Sequence, residues 1–232
     1  MDEARSLILG GNREEFVVVA ATQTAGRGRR GRAWVSSIGN LFITYCTQSK
    51  CLLSLAPQLS FVACVAVGEA LQPILPIGNI ITYKWPNDVL LNGKKLAGIL
   101  LETVETSRLD EFSCLIGCGL NITEFPSDVR YKTTSLYNEG ILLTYDEVLS
   151  RIIDSFTFHI YLWETQGFSP IYDLWMKSAA YLHDEIRLDL QGQILEGVFK
   201  GMDTSGAMLL KTTNGVKKIN AGEVLGGGAV CT

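Results

Sequence analysis

Residues 23–34 read Gln-Thr-Ala-Gly-Arg-Gly-Arg-Arg-Gly-Arg-Ala-Trp, with Arg27, Arg29, Arg30 and Arg32 crowded into the stretch 26–32. Glycines at 26, 28 and 31 let a backbone approach a ligand closely, because no side chain stands in the way. The arginines present permanently charged, planar forks that suit phosphate and carboxylate oxygens. The chemistry indicated is therefore anion binding. No acid occurs between Glu15 and Lys50, so the loop is expected to repel itself and to stay mobile until an anion arrives. A solvated basic loop with no ligand and an Arg/Gly segment for RNA are the competing readings. The stretch is short, unrepeated and directly follows an apolar run, which is unlike an RNA-binding array.

A second stretch, Tyr83-Lys84-Trp85-Pro86-Asn87-Asp88-Val89, is followed by Gly93-Lys94-Lys95-Leu96-Ala97-Gly98-Ile99-Leu100. Pro86 biases Trp85 to extended geometry, so Asn87 and Asp88 should project from a fixed turn. Lys95 should open the next strand, with Ala97-Gly98 leaving room beside it for a ligand. Taken alone, the same residues also fit an ordinary turn and an edge lysine. A third stretch, Gly117-Cys118-Gly119-Leu120-Asn121, places small residues at the end of a strand and a donor-acceptor amide at its exit.

The elements that must position these groups follow from periodicity and punctuation. A short helix is expected over 3–9, a buried Val-rich strand over 16–21 and a second strand over 41–46. A buried helix over 59–71 should end before Pro73. Short strands over 80–84 and 89–91 lead through the hairpin turn Asn92-Gly93 into 96–102, with another strand over 112–120. Thr144 and Glu147 form a capping box for an amphipathic helix whose apolar face runs from Val148 to Trp163. Ser169-Pro170 should cap a second helix. After Leu182 the pattern changes to short strands over 185–190, 194–200, 207–212 and 216–220. The expected fold is α+β: a mixed sheet with helices over 1–182, then a small β-barrel over 183–232.

Composition bounds the function classes. The 232 residues are 47% hydrophobic and 19% charged, enough for a sizeable core. Acidic residues number 24 against 20 basic ones, a balance that argues against a dedicated nucleic-acid binder. The six cysteines form no CxxC pair and only His159 and His183 could join them, so no metal centre is expected and the thiols read as reduced core residues. The uncharged run 51–68 contains Ser54, Pro57, Gln58 and Ser60 and is read as a loop and buried helix, without a membrane span. The opening Met-Asp-Glu lacks a secretory leader, which points to a cytoplasmic chain.

The three stretches together resemble the biotin protein ligases, in which GRGRRGR with a following aromatic, KWPND, KxLAGIL and GxGxN occur in this order. The resemblance runs from about Asp2 through the carboxyl-terminal module. It implies a class II synthetase-like catalytic domain with an SH3-like barrel, ATP, Mg²⁺ and biotin as cofactor and substrates, and activation of biotin to biotinoyl-AMP. It further implies transfer to a lysine of a biotin carboxyl carrier protein or domain. Carried over by motif, Gln23, Gly26, Arg27, Gly28, Arg29 and Lys95 would surround biotin, with Gln23 on its head group. Arg27, Arg29, Arg30, Trp34, Asn87 and Asn121 would serve the nucleotide, Asn121 near its phosphates and Mg²⁺. Lys95, Arg29 and Asp88 would be catalytic, Asp88 orienting or deprotonating the incoming lysine.

Two departures stand out. In that family a Ser-Thr pair precedes the first helix as part of the biotin wall, whereas here residues 1–5 already resemble that helix. The chain as given is therefore expected to bind biotin more weakly than one extended upstream by a strand and the Ser-Thr pair, which calorimetric titration of both would check. No winged helix precedes the catalytic region, so DNA binding is not expected, and Gly226-Gly227-Gly228 lacks the basic residue of some relatives. A homodimer is compatible with the resemblance. The nearest alternative is a lipoate or octanoate ligase or transferase, whose members generally lack the GRGRRGR and KWPND pair.

Overall fold

The computed structural model describes residues 1–49, 53–105, 112–127 and 131–227; Cys51, Cys231 and Gly228 lie outside them. The amino-terminal part is built from α1 (Asp2–Leu9), β1 (Phe16–Ala20), β2 (Leu41–Ser49), α2 (Gln58–Leu71), β3 (Ile81–Lys84), β4 (Asp88–Leu91), β5 (Lys94–Glu105), β6 (Phe112–Leu120), α3 (Tyr145–Gln166) and α4 (Ser169–Lys177). Its six strands form one sheet in the order β1-β2-β6-β5-β4-β3. The strand ladders are antiparallel, and parallel character enters through the isolated bridges Lys95–Thr133 and Tyr83–Ala179.

Helix α2 is apolar on nearly all sides and is buried almost throughout, as expected of a helix with a sheet on one side and another helix on the other. The outer cover is α3, whose Val148, Ile152, Phe156, Ile160 and Trp163 turn inward. Its first turn closes by the anticipated reciprocal bonds: the Glu147 amide donates to Thr144 Oγ1 and the Thr144 amide to Glu147 Oε2. Side chains of a strand alternate between faces. Ala97, Ile99, Ile116 and Cys118 join the core under α2, while Gly98, Leu100, Gly117 and Gly119 point the other way. On that second face α1 covers one end, packing Ala4 and Ile8 against Cys46, Val104 and Leu115.

The remaining strands, β7 (Glu185–Leu190), β8 (Gln193–Met202), β9 (Met208–Thr212), β10 (Gly215–Ile219) and β11 (Glu223–Gly227), form a second antiparallel sheet in the order β10-β9-β8-β7-β11. This module is SH3-like in strand number and hairpin order; among the described residues it is open at β10 and β11. It shares the main core through Ile186, Phe199, Met208 and Val224. Trp85 Nε1 donates to Gly206 O at 3.0 Å. Gly206 has φ +85°, and a Cβ there would meet the Phe61 ring at 2.5 Å, so the module docks through a point of close approach.

Three expectations are corrected. The Val-rich strand β1 is partly exposed because, among the described residues, it is the sheet edge and pairs with β2 alone. Helix α4 is flanked by Phe168 as N-cap with no side-chain cap, and Ser169 lies inside it. Strand β11 was not anticipated: its glycines hide a strand whose partner, β7, lies far upstream. Among the described residues no helix is long and apolar enough to cross a membrane.

Candidate active site

The second face of the sheet carries a cavity of about 590 Å³. Its floor is made of glycine. A Cβ on Gly119 would lie 2.5 Å from the Trp34 ring, one on Gly98 2.8 Å from the same ring, and one on Gly117 2.8 Å from the Met1 sulfur. The strands thus leave a flat, side-chain-free bed on which the Trp34 indole rests. Trp34 Nε1 is buried there without a hydrogen-bond partner among the described residues.

One wall is a buried charge cluster. Asp88 sits directly opposite Lys84 in the β3–β4 ladder, and its two oxygens take Lys84 Nζ at 2.9 Å and Lys95 Nζ at 2.6 Å. The Tyr131 ring lies 5.4 Å from Lys84 Nζ and 5.0 Å from Lys95 Nζ, a distance at which a ring face attracts a cation. Burial alone would push the Asp88 carboxyl up, but Lys95 and Lys84 outweigh it and hold the group below the usual carboxylate range. Burial likewise pulls the Lys95 ammonium down, and Asp88 more than reverses this. Asp88 and Lys95 therefore stand as an ion pair, and the Lys84 side chain on the second Asp88 oxygen gives the cluster a formal excess of one positive charge.

The arginine loop forms the roof, and here an expectation fails. The acids that neutralise it come from remote sequence. Arg27 pairs with Asp2 at 2.7 Å and Glu102 at 2.8 Å. Arg30 reaches Asp189 at 3.3 Å, and Arg32 makes a two-pronged contact with Glu223 at 2.7 and 2.5 Å. The loop is held by these pairs, even though Arg30 takes the left-handed conformation at φ +58°. Arg29 differs: among the described residues it has no carboxylate partner, and it donates instead to Asn87 Oδ1 at 3.2 Å and Gly222 O at 3.3 Å. Burial, followed by neighbouring Arg30, pulls its guanidinium down from the ordinary value. Of the four loop arginines, Arg29 is thus the one whose charge is least compensated among the described residues.

The anticipated residues are mostly brought together. Gln23, Arg27, Gly28, Arg29, Trp34, Asn87, Asp88 and Lys95 line the cavity. Asn87 also ties the turn to β5, donating from Nδ2 to Ile99 O at 2.6 Å. Three stand apart from the lining. Gly26 admits the Trp34 carbonyl, which a Cβ would meet at 2.5 Å. Arg30 points to the second sheet, and buried Asn121 donates its side-chain amide to Thr134 O at 3.0 Å. The motif reading passed over Lys84, Tyr131, Glu102, Asp189 and Glu223. Only Lys84 had a signal, since it lies inside the same motif four residues before Asp88.

Among the described residues no group of three or more His, Cys, Asp or Glu could hold a metal ion. Cys46, Cys64, Cys114 and Cys118 are buried, and burial pushes the Cys46 thiol to about 11 and the Cys118 thiol to about 12.

Comparison with known proteins accords with this geometry. Residues 7–121 match the Biotin/lipoate A/B protein ligase family and residues 184–225 the Biotin protein ligase C terminal domain. The chain is 36% identical to a biotin--[acetyl-CoA-carboxylase] ligase of Paracoccus denitrificans, covering 91% of this chain and 90% of that one. It is 35% identical to the bifunctional ligase/repressor BirA of Bacillus subtilis, spanning 91% of this chain but 66% of that protein. Among solved structures, a biotin protein ligase from Aquifex aeolicus in complex with biotin and ATP superposes with a TM-score of 0.77 at 31% identity, covering 90% and 87% of the two chains.

Proposed function

Since this chain belongs to the biotin protein ligase family, we infer a division of labour among the residues that line its cavity. The reaction is the ATP-dependent activation of biotin to biotinoyl-AMP and the transfer of biotin to a lysine of a carboxylase carrier protein. In the first step a biotin carboxylate oxygen bonds to the α-phosphorus of ATP and pyrophosphate leaves. In the second, the ε-amine of the acceptor lysine attacks the acyl carbon, AMP leaves, and the amide forms with loss of a proton. No nucleophile of the enzyme is consumed.

The observation that carries the assignment of roles is the excess positive charge of the buried Lys84–Asp88–Lys95 cluster under Arg29, beside a glycine floor. Two anions must meet there, and preorganised cations favour the charge that builds during transfer. Lys95 and Arg29 receive the biotin carboxylate and α-phosphate, with Arg27 and Gly28 closing the roof and Gln23, also in the lining, assigned to the biotin head group. The size of the cavity suits a biotin and a nucleotide portion. Asp88 is a weak base because two ammonium groups stabilise its ionised form, so it orients the incoming amine and does not take its proton.

Mg²⁺ supplies charge neutralisation to the triphosphate when bound. The sparse acid around the cavity suits an ion held chiefly by phosphate oxygens. Asn121, one strand-end from Lys95, is the protein group we assign nearest to them, and Trp34 is assigned to the adenylate, with Asn87 and Arg30 steadying the loop against the turn and the second sheet. The proposed division is 1–182 for catalysis and 183–232 for the module. It rests on the two sheets and on the family matches at 7–121 and 184–225. A cytoplasmic setting, no DNA binding and a possible homodimer complete the reading.

Incubation with ATP, Mg²⁺ and labelled biotin should yield biotinoyl-AMP, and labelled lipoate should yield no adenylate. Adenylation of lipoate in preference to biotin would replace this reading with the lipoate ligase alternative.

A further inference from the structure

We propose that Lys84 is a positioning residue: it keeps Asp88 paired and in place, so that the Lys95 ammonium can turn to the two reacting anions. The inference rests on the ligase reading and adds a residue to it.

The two lysines hold Asp88 in different ways. Lys84 is its direct cross-strand partner, and Lys84 Nζ also lies 3.4 Å from Val224 O of β11. It is fixed between two strands and the second sheet. Lys95 comes from β5, whose register against β4 shifts between Val89 and Leu90, and it reaches Asp88 diagonally. Its Cε would lie 3.2 Å from a Cβ on Gly98, and its Nζ is 5.2 Å from the Trp34 ring. One lysine is thus built into the wall while the other extends over the floor where reactants sit.

Were Lys95 the sole partner, drawing it toward a carboxylate and a phosphate would leave Asp88 as an uncompensated buried charge. Such a charge is strongly unfavourable, and the group takes up a proton. Lys84 prevents this. The other groups that act on Asp88 are Arg29 and Arg32 from the loop and, from α2, the Cys64 thiol, while the Tyr131 ring lies over the two ammonium groups. Arg32 is engaged by Glu223 of β11, Cys64 stays neutral because burial raises it, and Arg29 is turned to Asn87. None replaces Lys84.

The test compares wild type, Lys84→Met, Lys84→Gln and Lys84→Arg in adenylate formation from roughly pH 5.5 to 9, a range spanning a raised carboxyl but clear of an ordinary one. The neutral variants should lose about tenfold or more in kcat with biotin KM changed by less than about threefold, the signature of an interaction made in the transition state. Their rate should acquire an acid limb, falling as pH falls while Asp88 gains a proton, and Lys84→Arg should restore most of the rate and remove the limb. A folded neutral variant with unchanged kcat, a raised KM alone, or a loss that Arg does not rescue and that leaves the pH profile unchanged would each overturn the proposal. If a neutral variant fails to fold, carbon-13 titration of the aspartate carboxyls in wild type and the Arg variant decides: a shared low Asp88 midpoint supports the proposal, and a midpoint displaced upward in the Arg variant defeats it. If wild type makes no biotinoyl-AMP, the ligase reading fails. Carbon-13 titration of a folded neutral variant then tests Lys84 separately, and an Asp88 midpoint unmoved from wild type refutes it.

Discussion

Replacing Lys95 with Ala removes the ammonium over the cavity floor but leaves Asp88 its bond to Lys84. The expected result is a folded protein, judged by circular dichroism melting, with adenylate formation down about 100-fold or more, as when a preorganised electrostatic group is lost. Unchanged turnover would remove Lys95 from the mechanism. Gly119→Ala places a methyl where the Trp34 ring now lies, at 2.5 Å, and should raise the biotin KM while the sheet survives, read by steady-state kinetics and melting in parallel. Lys95, Arg29 and Asp88 were picked out from residue type and motif, and the structure gathers all three at one cavity. That Lys84 also holds Asp88 was not legible, because only the β3–β4 pairing turns its side chain toward the carboxylate. Tyr131 was invisible for a similar reason: an isolated tyrosine in a polar stretch carries no pattern until the chain folds it over two ammonium groups.

Elements whose cause is local were read from the sequence and those whose cause is remote were not. The hairpin at Asn92-Gly93, the buried helix α2 and the capping box of α3 follow from turn chemistry, composition and a four-residue motif. The arginine loop is held from afar by Asp2, Glu102, Asp189 and Glu223, so no local reading could show its charges compensated. Glu223→Gln should weaken the Arg32 contact and speed tryptic cleavage within 26–32, with melting temperature little changed because exposed ion pairs contribute about 0–1 kcal/mol. Equal cleavage rates would show that the loop is held otherwise. The β4–β5 hairpin is fastened by Glu139, which accepts from Lys94, Asn92 and Thr134. Burial raises its carboxyl, but these three outweigh it and hold the group at about 2. A depressed carboxyl stabilises the fold above its unfolded value, about 4.3, and this contribution disappears as pH falls toward 2. Glu139→Gln should therefore lower the melting temperature more at pH 6 than at pH 3, and a pH-independent difference would contradict the assignment.

Over the whole molecule, the formal charge of −4 conceals a paired basic roof rather than a bare one. With Arg27, Arg30 and Arg32 engaged by acids, RNA should not bind with the steep salt dependence of a phosphate-binding surface; tight, salt-sensitive binding at low ionic strength would revive that alternative. The two-part architecture was legible as a change of grammar near Leu182, although the β7–β11 pairing that brings Glu223 to the roof was not. The chain has four tryptophans, and Trp85, Trp163 and Trp175 are buried in the core. Trp34 lies on a bed without side chains, beside an ammonium group and with its indole N–H unanswered among the described residues. A ligand that occupies this bed must move that ring, so the protein contains its own optical reporter. Its emission should follow arrival of a colourless substrate in real time, without a label.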